Sequence, residues 1–128
     1  MPRLMSVTLT TPQVQVRSKD VTRRMGWWTD KHGNRMLQPG DRLTLCRKVM
    51  GRRKGEPLVR VAEVEVVAVR REKLYMITDD EVRREGFPHW TTHEFIDFFC
   101  ESHKGCQPDS YVTRIEWRYL DDGGDGDA

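Results

Sequence analysis

Lys19, Asp20, Val21, Thr22, Arg23 and Arg24 follow one another and place an amine, a hydroxyl and two guanidinium groups in six residues. In an extended segment alternate side chains share a face, so Thr22 and Arg24 point together, with Lys19 near the preceding corner. A hydroxyl, an amine and a guanidinium converging there suit a polar, planar or anionic ligand; the plainer alternative is a solvated basic strand. Glu85 is the second chemical feature. It falls at the C-terminal end of an expected helix, where unpaired carbonyls disfavour an anion by about 0.3–1 kcal/mol. A cationic partner such as Lys19 or Arg24, or a ligand, gives a carboxylate a reason to stand there. Without one it is an exposed, screened glutamate.

Trp27 and Trp28 follow the basic segment directly. Adjacent side chains on a strand point opposite ways, so one belongs to the core and the other is free to stack on a base, worth roughly 1–3 kcal/mol on a single strand. Arg47, Lys48, Arg52, Arg53 and Lys54 make a basic edge suited to phosphates, or else a solvated hairpin tip. Cys100, His103 and Cys106 are weak candidates for a metal, because zinc favours Cys and His in fours and no fourth ligand is obvious. The expectation is therefore no metal and no cofactor, with Cys100 a buried thiol.

The elements that must position these groups are legible in part. The 128 residues allow one domain with a real core. No apolar run is long enough for a membrane span, and the first residues lack the apolar stretch of a signal peptide. Three cysteines, an odd number, argue against a disulfide framework and for a reducing cytoplasm. The net charge of +2 is very uneven: residues 1–73 hold 17 Lys/Arg against 7 Asp/Glu, and residues 74–128 hold 5 against 13. A polyanionic partner is expected on the basic half.

Leu4 to Thr10 alternates weakly as a strand. Thr11 and Pro12 open a short helix, as N-cap and first helical residue, ending near Arg17 or Ser18. Val21 to Met25 is a strand, 26–40 a long loop, Arg42 to Val49 a strand, and 51–57 a basic loop. Leu58 to Val69 is the clearest strand, long enough to require a bend or bulge. Thr78 to Glu81 and Thr91 to Glu94 each carry a capping-box pattern. Phe95, Phe98 and Phe99 share the face of the second helix, a spacing that predicts core. Tyr111 to Leu120 closes the chain as a strand, and 121–128 is an acidic tail expected to be disordered. The fold class is α+β: a small antiparallel, partly closed β-barrel with flanking helices, as a single domain over 1–120.

In order and spacing these stretches resemble the ASCH domain, a branch of the PUA-like superfamily. The resemblance rests on Lys19-x-x-Thr22-x-Arg24, Leu37 to Leu43, the valine-rich strand, the helices around Glu85-Gly86-Phe87, and Val112 to Trp117. It covers residues 6 to 120 and looks closest to small stand-alone ASCH proteins of bacteriophages. It implies a cleft beside a small barrel and an association with RNA and modified nucleobases. Some small bacterial ASCH proteins remove the acetyl group of N4-acetylcytidine, using a Lys, a Thr three positions later and a later Glu; Lys19, Thr22 and Glu85 match these. Other ASCH proteins are described as ribonucleases. This chain departs from the small amidohydrolases at 26–36, at Gly51 to Gly55 and in its Cys/His segment.

Two functions follow as expectations. In the first, the chain binds RNA or a modified nucleobase through Lys19, Thr22, Arg24 and Glu85, with Arg23, Trp27, Trp28 and the basic edge as further contacts. In the second, it is an amidohydrolase with Thr22 as nucleophile, Lys19 as base and Glu85 as acid/base. An ordinary lysine is neutral in only about one molecule in 2,500 at pH 7, so this role needs a strongly lowered pKa. A third possibility is a phage protein that binds a host protein through its acidic half. The expected location is the cytoplasm, and the sequence leaves the oligomeric state open.

Overall fold

The computed structural model describes residues 2–120; the expected acidic tail, 121–128, lies outside them. Five strands form one sheet in the order β1-β3-β4-β5-β2. They are β1 (Arg3–Ser6), β2 (Val21–Arg24), β3 (Arg42–Cys46), β4 (Arg60–Lys73) and β5 (Tyr111–Tyr119). Three pairings are antiparallel; β1 runs parallel to β3, a departure from the all-antiparallel expectation. The 3-10 turn Thr8–Thr10 and helix α1 (Thr11–Gln15) make this possible, carrying the chain across before β2. That turn also takes the end of the strand expected to reach Thr10, and Thr10 rather than Thr11 is the N-cap of α1.

β4 carries the curl. Its first half pairs with β3, and from Val64 to Lys73 it pairs with β5. The register slips between Val66 and Ala68. One extra residue there bends the strand and raises its twist, so a long strand serves two neighbours in a half-closed sheet. Inside the curl lies an apolar cluster that includes Met5, Leu37, Leu43, Leu45, Val64, Ile115 and Trp117. A second cluster, including Leu74, Val82, Phe95, Phe99 and Val112, lies beneath the two later helices.

Those helices are α2 (Asp79–Arg84) and α3 (Thr92–Ser102). Thr91 and Glu94 form the full reciprocal box at the start of α3. At the start of α2 only half of the box forms. The Thr78 hydroxyl accepts from the Glu81 amide, but the Glu81 carboxylate turns to arginines instead. Helix α2 ends in a Schellman motif: the Phe87 amide donates to the Val82 carbonyl and the Gly86 amide to the Arg83 carbonyl. Gly86 sits at φ 107°, and a Cβ there would lie 2.6 Å from Gln13 Cγ. The motif makes Glu85 the C-cap of the helix, and its side chain is buried. Among the described residues no helix is long and apolar enough to cross a membrane.

Candidate functional site

Five charged residues, Lys19, Arg23, Glu81, Glu85 and Arg114, are buried without belonging to either apolar cluster. Burying an ion costs several kcal/mol unless a partner and hydrogen bonds offset it. Here they do. Lys19 Nζ donates to Glu85 Oε1 at 2.7 Å and to the Glu85 main-chain oxygen at 3.0 Å. Arg23 donates to Glu85 Oε2 at 2.9 Å, to Glu72 at 2.9 Å and to Glu81 at 2.8 Å. The cationic partners of Glu85 are thus Lys19 and Arg23, not Arg24.

Arg23 stands directly opposite Arg114 in the β2–β5 register, where like charges repel. Glu81 resolves the conflict by bonding both: Arg114 reaches its two oxygens at 2.6 and 2.9 Å. First the hydrogen bond from Arg114, then Arg23, hold the Glu81 carboxyl down to about 2, against the burial that opposes them. Burial lowers the pKa of Lys19; Glu85 opposes the shift, while Arg24 and Arg23 add to it.

Beside this network opens a pocket of about 180 Å³. Its polar side is Lys19, Thr22, Arg24 and Glu85, and its apolar wall is Phe87, Phe95, Phe98 and Phe99, with His103 at the end. Ligand pockets usually enclose some 300–1,000 Å³, so this one suits a single planar ring system. The Thr22 hydroxyl makes no hydrogen bond among the described residues, though Thr22 is buried. Arg24 donates to the Ser6 carbonyl at the pocket edge, and burial lowers its pKa. Phe87 stacks flat on Trp90 at 4.1 Å, and Phe98 packs against both. His103 turns Nδ1 to the Phe99 carbonyl at 2.8 Å and lies flat on the Phe99 ring.

The sequence-expected residues therefore divide. Lys19, Thr22, Arg24 and Glu85 come together. Arg23 also reaches the pocket lining, but its fully buried guanidinium is committed to three carboxylates rather than free for a nucleic acid. Trp27 and Trp28 do not line the pocket. Their loop folds back on itself, with the Asp30 carboxylate accepting from the His32 and Asn34 amides. Trp27 packs on the first core cluster, and the Arg35 guanidinium lies 3.5 Å over the Trp28 ring.

Arg47, Arg52, Arg53 and Lys54 are exposed, and Lys48 is half-buried beside Glu56. Their loop is tied to the pocket rim, since Thr8 donates to the Arg47 carbonyl and the Val49 amide to Ser6 Oγ. Cys100 and Cys106 bring their Sγ atoms within 2.8 Å, but His103 faces Phe99. Among the described residues no group of three or more His, Cys, Asp or Glu side chains is arranged to hold a metal.

The reading missed the aromatic wall and the carboxylate network. The Phe95/Phe98/Phe99 spacing was the signal for the first. A core stripe at the end of a sheet has a rim, and Phe98 is only half-buried there.

No family model matches the chain, and no curated protein matches it by sequence. Solved structures do match in fold. A crystal structure of protein EF3133 from Enterococcus faecalis V583, assigned to family DUF984, superposes with a TM-score of 0.67 at 13% identity, covering 94% of this chain and 80% of that one. Hypothetical protein PH0355 gives 0.63 at 15% identity, over 94% and 100%. The ASCH domain from Lactobacillus crispatus JV V101 gives 0.56 at 13% identity, over 87% and 70%. The organisms named are bacteria, so the expected closeness to bacteriophage proteins gains no support. The five-stranded half-barrel with its helices has the fold of that ASCH domain.

Proposed function

We propose that the pocket binds a nucleobase, as part of an RNA strand or as a modified nucleoside. One observation carries the reading: a buried Lys19–Glu85 pair and an unpartnered Thr22 hydroxyl face a wall of phenylalanines across a space the size of one ring system. A base offers two faces for aromatic contact and a hydrogen-bonding edge, and this pocket supplies both complements. The Thr22 hydroxyl is free to donate to a ring carbonyl. Glu85, already holding Lys19 and Arg23, accepts from an exocyclic amino group. The basic loop tied to the rim through Ser6 and Thr8 lies where it can meet phosphates.

Calorimetric titration with cytidine and N4-acetylcytidine tests this. Binding that Thr22→Ala and Phe98→Ala each weaken supports the reading; wild-type protein that binds neither nucleoside contradicts it.

A second reading, hydrolysis of an N4-acyl amide, is favoured by the 2.7 Å hydrogen bond from Lys19 to Glu85 and by the burial that lowers the Lys19 pKa. With the proton of Lys19 passed to Glu85, the neutral amine can accept the proton of Thr22 as its oxygen adds to the acyl carbonyl. The carbon–nitrogen bond then breaks while Glu85 protonates the leaving amine, and water releases the acid from Thr22. Acetate release from N4-acetylcytidine, lost in Thr22→Ala, supports this path. Binding without release leaves the chain a binding module.

A further inference from the structure

A second hollow, of about 620 Å³, shares no lining residue with the pocket, yet the two are one residue apart along the chain in three places, around Lys19, Glu85 and Phe87. Lys19 and Glu85 line the pocket; their neighbours Asp20 and Arg84 line the other hollow. There they pair with each other at 2.9 and 3.0 Å, and the Asp20 amide donates to the Arg84 carbonyl. The segments at 19–20 and 84–85 are thus a wall with a different chemistry on each side.

The far side is basic. Its lining includes four arginines, Arg17, Arg83, Arg84 and Arg118, and one carboxylate, that of Asp20. Arg84 is committed to Asp20, Glu81 and Glu116, so the positive charge open to a ligand comes from the other three arginines. Arg83 and Arg118 are exposed, each with one carboxylate partner, Asp80 and Glu65. Such exposed pairs are worth about 0–1 kcal/mol, so a phosphate can take the place of the carboxylate. Arg17 has no ion-pair partner among the described residues; its guanidinium lies 5.1 Å over the Tyr119 ring, and its backbone holds φ 60°. Planar guanidinium forks match phosphate oxygens two at a time. Three of these arginines come from residues 74–128, whose overall charge is negative, so composition hid them.

We infer that this cleft holds the phosphodiester backbone of a single nucleic-acid strand one of whose bases enters the pocket. The inference rests on the nucleobase reading above. A base in a pocket has left its stack, which requires a single strand or a flipped nucleotide.

The test uses a short single-stranded oligoribonucleotide and its deoxyribose counterpart, followed by fluorescence anisotropy across a salt series, with cytidine titrated in parallel. The exposed pair Arg17→Ala/Arg118→Ala is the variant, its folding checked by thermal unfolding. The expected result is weaker strand binding with a log–log salt slope shallower by about 1.4, and unchanged cytidine binding. Equal losses for both strands support a phosphate contact; a loss confined to the ribose strand overturns it. Unchanged affinity and slope for the strands overturn the cleft. So does a wild-type protein that binds cytidine but no strand, and in that case the pocket reading stands. Failure to bind cytidine as well overturns both.

Discussion

Lys19 and Glu85, separated by sixty-six positions in the chain, meet at two atoms: the ammonium donates to a side-chain oxygen at 2.7 Å and to the main-chain oxygen of the same residue at 3.0 Å. The double contact fixes the end of α2 against the start of β2. The carboxylate is therefore part of the scaffold as well as of the pocket, and changes there register in stability before they register in function.

Glu85→Gln leaves the buried Lys19 with a neutral partner, while Arg23 keeps Glu72 and Glu81. Removing one member of a buried pair costs about 3–5 kcal/mol, and here the ion left behind is Lys19. Denaturant unfolding should show a loss of that size, with Lys19→Met/Glu85→Leu less destabilised than Glu85→Gln. A Glu85→Gln variant as stable as the parent would mean the pair is solvated.

Gly86→Ala should cost about 1–3 kcal/mol, since φ 107° disfavours a side chain and the new methyl meets Gln13. Gln13→Gly in the same chain relieves only the contact, not the backbone strain. Thermal unfolding of the single and double variants separates the two. A Gly86→Ala protein that melts with the parent would contradict the close packing of α1 on the end of α2.

Glu81 titrates at about 2 in the folded chain against an ordinary 4.5. A depressed carboxyl contributes stability that is complete above the unfolded value and lost as pH falls toward the folded one. Stability should therefore drop between pH 4.5 and 2, and Glu81→Gln should flatten that part of the profile. A variant with the parent's acid limb would contradict the bridging role of Glu81.

For Lys19 the slope with pH has the same sign but lies at the alkaline end, because its pKa is lowered too. Burial sets its folded pKa below 10.5, so the unfolded chain binds the proton more strongly in that interval and stability rises with pH there. NMR of the lysine Cε carbons should show one resonance titrating below the rest and absent from Lys19→Met. All lysines titrating together near 10.5 would contradict its burial.

Much of the fold was readable. The strict alternation of 111–120, the Thr91/Glu94 box and the long valine-rich strand each name an element whose local pattern and tertiary role agree. The bulge followed from length alone. The parallel β1–β3 pair did not, because nothing local records which neighbour a short strand chooses. Lys19, Thr22 and Glu85 were legible as chemistry, Glu85 because a carboxylate at a helix end needs a cation. Arg23 was misassigned: alternation gives one face of a strand to solvent, but Val21, Thr22 and Arg23 are all buried, and Arg23 meets the carboxylates of Glu72, Glu81 and Glu85. Of Trp27 and Trp28 one was expected in the core, and Trp27 packs there; the other, Trp28, lies under the Arg35 guanidinium and outside the pocket lining.

The most direct test of the nucleobase pocket is a backbone-amide NMR titration with N4-acetylcytidine. The account predicts shifts clustered at Thr22, Glu85, Phe98 and His103, with those at Trp27 and Trp28 unmoved. Shifts that gather elsewhere, with the amides around Lys19 and Glu85 silent at saturating ligand, would contradict it.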